Sequence, residues 1–412
     1  MYSFLSIPIF LAAGFLIPLI GSLNAKNSRR IALIASFLAI VVSLFEIPSV
    51  LLNKISVKYM SGWMAPYGIS VAVDAFSLLF IILASVIGFL VVLYSKKYIT
   101  SWSVEYYTLL MLLFTGVMGV LHAGDLFNLF VFFEILSIAS YALTAFHKNK
   151  KSLEGAIKYL ILGSFTASFM LLGIAIIYGI AGTLNMADLA GTLGVGLSTS
   201  TAIAFGLIFA ALAFKSAIVP FHYLKSDILE VTIPPVGAFF ASIVSATGIY
   251  AIMRLYFTVF GAGFLTHHIL IILGVASIIL GSLMALKQKD IMRLLAYSAI
   301  AQVGFVVLAF GMGALVSESY TAAIYHLMNI IFIDALLFLS AGVLVLKHKT
   351  TNMEHLQGVG SVNPILSYGF LIGALANAGV PLTNGFASKW LIYAASIKIS
   401  PILTIITIVA SA

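Results

Sequence analysis

The sequence predicts an all-α, polytopic membrane protein of about thirteen transmembrane helices. Three observations carry that expectation. Mean hydropathy is +1.17, and only 8% of the 412 residues are charged, where a soluble domain carries about 25%. Apolar runs of about 20 residues, the length that crosses a bilayer, recur from end to end. The polar stretches between them are too short to form a separate soluble domain.

The first run, 3–23, starts apolar and has neither a basic leader nor a small-residue cleavage site, so it reads as a first helix rather than a removed signal peptide. Further helices are expected at 31–52, 71–94, 106–122, 125–146, 156–180 and 200–222. The rest are expected at 235–258, 268–286, 293–312, 319–346, 365–393 and 399–412, the last cut short by the end of the chain. Fifteen of the 21 Lys and Arg residues follow odd-numbered helices, with Lys225 counted as a loop residue after the seventh. Four, Lys54, Lys58, Arg254 and Lys398, follow even-numbered ones. The positive-inside rule then puts the N-terminus outside and the basic loops in the cytoplasm, as for a cell-membrane protein. The net charge of +8 is accordingly topological, and nothing points to nucleic acid. With no cysteine, disulfides and thiolate metal sites are excluded. The eight histidines are scattered, and the adjacent His267 and His268 have no carboxylate at ligand spacing, so no metal site is expected. No Gly-rich loop follows a strand, so a nucleotide cofactor is not expected either.

Two charges sit at a depth that lipid penalises. Glu134 lies inside the apolar run 126–146, and Lys215 lies inside 202–221. An ionisable group there costs several kcal/mol unless paired or hydrated, which makes it a functional-site hypothesis by default. A structural ion pair is the bland alternative, but a buried pair is costly to keep for stability alone. Pro220, five residues after Lys215, breaks the helix within the membrane, and Gly379-Val380-Pro381 breaks the twelfth helix ahead of Lys389. Broken helices are how transporters build ion sites. Two such helices, each with a lysine and five helices apart, predict two inverted five-helix repeats. These are helices 4–8 (106–258) and 9–13 (259–412), preceded by three N-terminal helices in 1–105.

These segments resemble the antiporter-like subunits shared by respiratory complex I, Mrp-type cation/proton antiporters and archaeal membrane-bound hydrogenases and sulfur reductases. The resemblance rests on Asp125 to Glu134, Ala156 to Gly163, Phe214-Lys215 through Pro220-Phe221-His222, Asp290 to Gly304, and Gly379 to Lys389. It implies that Glu134 and Lys215 are the essential acid and lysine, and that Lys389 is the exit-side residue. The implied mechanism is electrostatic: Lys215 keeps its proton while paired with Glu134 and releases it when the carboxylate is drawn away. At an effective dielectric of ~20 and ~4 Å such a pair is worth about 4 kcal/mol.

The chain departs from the family pattern in four places. A lysine on the eighth helix is replaced by Ala246, and a histidine and a lysine on the eleventh by Ile330 and Asp334. The loop after His222 reads Leu224-Lys-Ser-Asp-Ile-Leu229 in place of Trp-Leu-Pro-Asp-Ala-His. The chain also ends in the thirteenth helix, whereas family members have about fourteen or more. Asp334 is therefore expected either to pair with Lys389 or His326, or to hold a cation such as Na⁺ with hard oxygen ligands. His222 and His326 are candidates for lining or relaying a proton path, with a packing role as the alternative. Tyr141 and Tyr159 are expected in the core, and Asp74, Glu105, Glu154 and Asp188 in solvent.

The functional expectation is an antiporter-like subunit that conducts H⁺, or couples H⁺ to Na⁺, within a redox-driven complex. Its partners would be other antiporter-like and small membrane subunits, peripheral redox subunits and lipid. No redox cofactor of its own is expected. The rival expectation is a diverged, non-conducting scaffold that transmits conformational change, favoured by the altered eighth and eleventh helices. A stand-alone solute carrier is weaker, because the apolar interior lacks a substrate-sized cluster of polar residues. Among hosts, the archaeal hydrogenase and sulfur-reductase complexes come first.

Overall fold

The computed structural model describes residues 2–21, 24–193, 198–260, 266–358 and 364–411. Eleven helices among them are long and apolar enough to cross a membrane, and Pro364–Ala378 and Pro401–Ser411 add two shorter apolar ones. The protein is a polytopic membrane protein, nearly all-helical, as the hydropathy predicts.

The chain divides into two compact units. The first is Met1–Leu212 with Tyr250–Ala262, and the second is Ala213–Ile249 with Gly263–Ala412. In the first, α1 (Ser6–Gly21), α2 (Ala25–Phe45) and α3 (Ile47–Asn53) lead to a short antiparallel strand pair, β1 (Ile55–Tyr59) and β2 (Ser70–Asp74). Then follow α4 (Ala75–Tyr94), α5 (Ser103–His122), α6 (Leu126–Thr144), α7 (Lys150–Ala181) and α8 (Met186–Leu193). The helix α9 (Thr199–Ser216) runs from the first unit into the second. Next come α10 (Tyr223–Val231), α11 (Pro234–Phe239), a π-helical turn (Phe240–Val244) and α12 (Ser245–Leu255). After these come α13 (Thr266–Leu286), α14 (Ile291–Met312), α15 (Glu318–His348), α16 (Pro364–Ala378), α17 (Asn384–Ile399) and α18 (Pro401–Ser411).

The helix expected from residue 71 begins at Ala75 instead, because Val71 and Val73 lie in β2. A short apolar, β-branched stretch is easily read as the start of a helix. Asp74 ends the strand and caps α4, its carboxylate accepting the Ser77 N–H at 2.9 Å while Ser77 Oγ accepts the Asp74 N–H at 2.9 Å. The same carboxylate takes both arms of the Arg254 guanidinium at 2.7 Å each, so Asp74 is paired where solvation was expected. Burial raises its carboxyl, but Arg254 and the Ser77 amide outweigh that and hold it below the usual 3.8. Glu105, Glu154 and Asp188 are exposed as expected. The sign follows for the pair: its contribution is present above the carboxyl's unfolded value and is lost as pH falls through the lower folded one. Asp74→Asn is expected to cost about 1–3 kcal/mol of stability, as for a charge-assisted pair, read as a lower thermal midpoint of the purified protein at pH 7.

Among the described residues, one capping device occurs once in each unit. In the first, Asp125 Oδ1 accepts the N–H groups of Phe127 and Asn128, opening α6, and Asp125 bridges Asn185. In the second, Asp290 Oδ1 accepts those of Met292 and Arg293, opening α14, and Asp290 bridges Asn352. The backbone bonds match as well: Leu126 N–H to Leu184 O and Met186 N–H to Gly124 O in one, Ile291 N–H to Thr351 O and Met353 N–H to Lys289 O in the other. Close helix contact in the second unit rests on small residues. A Cβ at Gly274 on α13 would stand 2.5 Å from the Leu308 backbone nitrogen on α14.

Candidate functional site

Glu134 sits half-buried in the middle of α6. Tyr141, two turns on, is within its electrostatic reach, and the Tyr141 and Tyr159 rings meet edge to face at 4.7 Å. Both rings are buried, as core residues should be. The Tyr141 hydroxyl fills the space where a side chain at residue 163 would stand, which is why Gly163 is needed there.

Lys215 lies in the last turn of α9 and is 6% exposed. The helix ends one residue later. Ala217 takes a left-handed φ of 62°, Ile218 N–H reaches back to Ala213 O at 3.0 Å, and Val219 N–H is met by Ser277 Oγ of α13 at 3.0 Å. A side chain from a neighbouring helix thus satisfies a backbone donor that the break has freed, as an irregular segment within lipid requires. His222 follows, half-buried, and its Nδ1 has no hydrogen-bond partner among the described residues.

The chain does not return to solvent after this break. It continues as α10, whose Lys225, Ser226, Ile228 and Leu229 are buried. Lys225 is therefore an interior lysine, a correction to its expected place in a cytoplasmic loop. Its Nζ donates to Ser245 Oγ at 2.6 Å, and Ser245 Oγ in turn donates to Phe240 O at 2.9 Å across the π-helical turn. Asp334 of α15 is buried, and among the described residues no salt bridge joins it to Lys389 or His326, the side-chain partners expected for it. Arg293 of α14 anchors α10, with Nη1 2.8 Å from Glu230 and 3.2 Å from Asp227.

The second break lies between α16 and α17. Pro381 has no N–H, so the Asn377 carbonyl four residues earlier has no helical donor. Lys389 Nζ donates to it at 2.7 Å and Gln302 Nε2 at 3.2 Å. Lys389 is 1% exposed, its ammonium stands 4.7 Å over the Phe305 ring, and it has no salt bridge among the described residues. His326 of α15 lies close by, with Nδ1 2.9 Å from Ser388 Oγ and its ring against Phe305. Three buried atoms around this lysine, Asn377 Oδ1, Gln302 Oε1 and His326 Nε2, have no hydrogen-bond partner among the described residues. Gly379 has a φ of +80°, and a Cβ there would stand 2.8 Å from Lys389 Cδ. Gly379→Ala is expected to move the lysine off Asn377 O and lose about 1–3 kcal/mol to backbone strain, read as a lower thermal midpoint together with weaker ion uptake.

Of the predicted residues, Lys215, His222, Asp334, His326 and Lys389 all belong to the second unit, and Glu134 belongs to the first. Lys225, Asn377 and Gln302 were missed. Lys225 shares an apolar helical face with Ile228 and Leu229, a signal that only becomes readable once a helix is assumed after Pro220. Also missed is a buried pair in the first unit. Glu46, fully buried, accepts the N–H groups of Tyr2 and Ser3 and acts electrostatically on the buried His122.

Residues 123–412 match the family described as NADH:quinone oxidoreductase/Mrp antiporter, TM. The chain belongs to this family. It is 34% identical over 392 residues to an Na(+)/H(+) antiporter subunit of Alkalihalophilus pseudofirmus, covering 92% of this chain and 77% of that one. It is 35% identical over 341 residues to an NADH-quinone oxidoreductase subunit of Desulforudis audaxviator, covering 81% and 67%. Among solved structures, a chain of the membrane-bound sulfane sulfur reductase, an archaeal respiratory membrane complex, superposes with a TM-score of 0.94 at 31% identity. That match covers 99% of this chain and 85% of the other. The chain is thus an antiporter-like membrane subunit of the Mrp and complex I type.

Proposed function

We propose that this subunit conducts protons, or couples H⁺ to Na⁺, within a redox-driven complex of the cell membrane. The observation that carries the reading is Lys389: buried, with no salt bridge among the described residues, held on a carbonyl that a proline has released. An uncompensated buried charge costs several kcal/mol, and an apolar residue of similar volume would stabilise the fold better. A subunit that only held its neighbours together would gain nothing from keeping it. The unpartnered Asn377 Oδ1, Gln302 Oε1 and His326 Nε2 beside it are sites for ordered water, which buried polar groups of this kind recruit. Water at those positions would carry protons to and from the ammonium.

In this reading Glu134 and Lys215 form the input switch, His222 lines the path at the first break, and His326 relays toward Lys389. Residues 106–258 and 259–412 act as inverted repeats, a reading supported by the matched Asp125–Asn185 and Asp290–Asn352 devices. The names of the relatives, an antiporter subunit and a respiratory reductase, support other membrane subunits, peripheral redox subunits and lipid as partners. The basic loops support an outward N-terminus.

Lys215→Ala, assembled in the whole complex and studied in inverted vesicles, tests this with H⁺ and Na⁺ followed separately. Electron transfer is expected to survive while uptake of the conducted ion falls. Unchanged uptake per electron would support the scaffold reading instead.

A further inference from the structure

We infer that Lys225 is a further proton-carrying residue of this subunit, seated on Ser245 at the start of α12. The inference rests on the conduction reading above and concerns a residue outside the Glu134 and Lys215 switch. Lysine is almost never fully buried without a partner of opposite charge. Lys225 is 8% exposed, and among the described residues it has no salt bridge. Its one hydrogen bond among them runs to Ser245 Oγ at 2.6 Å, on a serine that is itself 3% exposed. An ammonium has three N–H donors. Two remain for ordered water, which buried polar groups recruit.

The seat is built, and α10 is held where it can reach it. Ser245 follows the π-helical turn Phe240–Val244, and its hydroxyl donates back to Phe240 O at 2.9 Å. The serine proton is thereby committed, and its oxygen accepts from the lysine. Single π turns of this kind recur at functional positions. Along α10, Glu230 and Asp227 stand 2.8 and 3.2 Å from Arg293 Nη1, and Ser226 Oγ donates to the Tyr297 hydroxyl at 3.2 Å. Those three charged side chains are partly exposed, whereas Lys225 is not. A lysine at the edge of an apolar region ordinarily keeps its ammonium in water. Here the helix keeps its acids at the rim and its base inside. Two of the departures from the family pattern meet at this contact: Lys225 belongs to the altered stretch after His222, and Ser245 immediately precedes Ala246.

A serine partner suits a residue that must hold a proton and let it go. A carboxylate at the same distance would favour the charged form. A hydroxyl is both acceptor and donor. It accepts from the ammonium, and by rotating it can donate to the lone pair of the neutral amine, so the contact survives in either state. Release breaks an Nζ–H bond and passes the proton to an adjacent water, leaving the amine and a hydronium ion. Uptake from a hydronium ion reverses the step.

Two variants separate a carrier from a structural charge. Lys225→Met fills nearly the same volume without the ammonium. Lys225→Arg keeps a positive charge that can donate to Ser245 but does not release a proton. Each is assembled in the whole complex, and ions taken up per electron are measured in inverted vesicles. Both are expected to assemble and to lose about tenfold or more of the uptake, the scale of a lost proton-transfer group. Wild-type uptake in either variant overturns the proposal: in Lys225→Met the residue is dispensable, and in Lys225→Arg only its charge is needed. Failure of both to assemble overturns it too, because the lysine is then structural. Should only one assemble, its uptake decides in the same way. Lys215→Ala run alongside keeps the two readings apart. If Lys215→Ala abolishes uptake and the Lys225 variants do not, only this inference fails. If Lys215→Ala itself leaves uptake intact, the conduction reading fails with it.

Discussion

Glu134→Gln is expected to reduce ion uptake by at least about tenfold while electron transfer and assembly persist. Gln keeps the shape of the side chain and can still form hydrogen bonds, but it carries no charge. The proposed switch depends on a carboxylate whose field holds the proton on Lys215 and whose withdrawal lets it go. For any such pair ~4 Å apart at an effective dielectric of ~20 the field is worth about 4 kcal/mol, or roughly a thousandfold in the protonation equilibrium. Removing it leaves the lysine with one setting instead of two. Uptake is read with a pH dye trapped in inverted vesicles, and assembly on a native gel. A variant that pumps normally would place Glu134 among the packing residues of α6.

The second large effect is expected at Lys389. Lys389→Met fills nearly the same volume and removes the ammonium from its place over Phe305 and on Asn377 O. Two outcomes should then separate. Uptake falls by about tenfold or more, because the site has lost its proton carrier. The thermal midpoint holds or rises, because a buried charge with no salt bridge among the described residues no longer has to be desolvated. The Asn377 carbonyl keeps one donor, Gln302 Nε2, so the break between α16 and α17 is not left without a polar contact. The opposite pattern, normal uptake with a lowered midpoint, would make Lys389 a strut for the broken helix.

The helices were legible because lipid imposes long apolar runs, and each expected span has a counterpart in the fold. Glu134, Lys215 and Lys389 were legible for the same reason: a charge within such a run is costly unless paired or hydrated. The strand pair beside α4 was not, since a short apolar, β-branched stretch next to a helix looks like more helix. Lys225 was hidden by its company. It follows a proline and stands among Ser226, Asp227 and Glu230, which together read as a polar loop, yet Arg293 ties up the two acids and the lysine turns inward. Asp334, which in sequence looks like a damaged lysine position, is buried on α15. The acceptor beneath Lys389 is a backbone carbonyl, which no side-chain pattern displays. Pro381, four residues after Asn377, was its one readable trace.

The central claim is that protons pass through this subunit, and Lys215→Arg tests it most directly. Arginine keeps the positive charge, so every role that needs only the charge survives. Its guanidinium stays protonated, so a relay through it stops. The measurement is ions taken up per electron transferred in vesicles holding the assembled complex. The account predicts that electrons flow while the count of ions per electron falls below wild type. An unchanged count would contradict it and leave the buried charges as a structural framework.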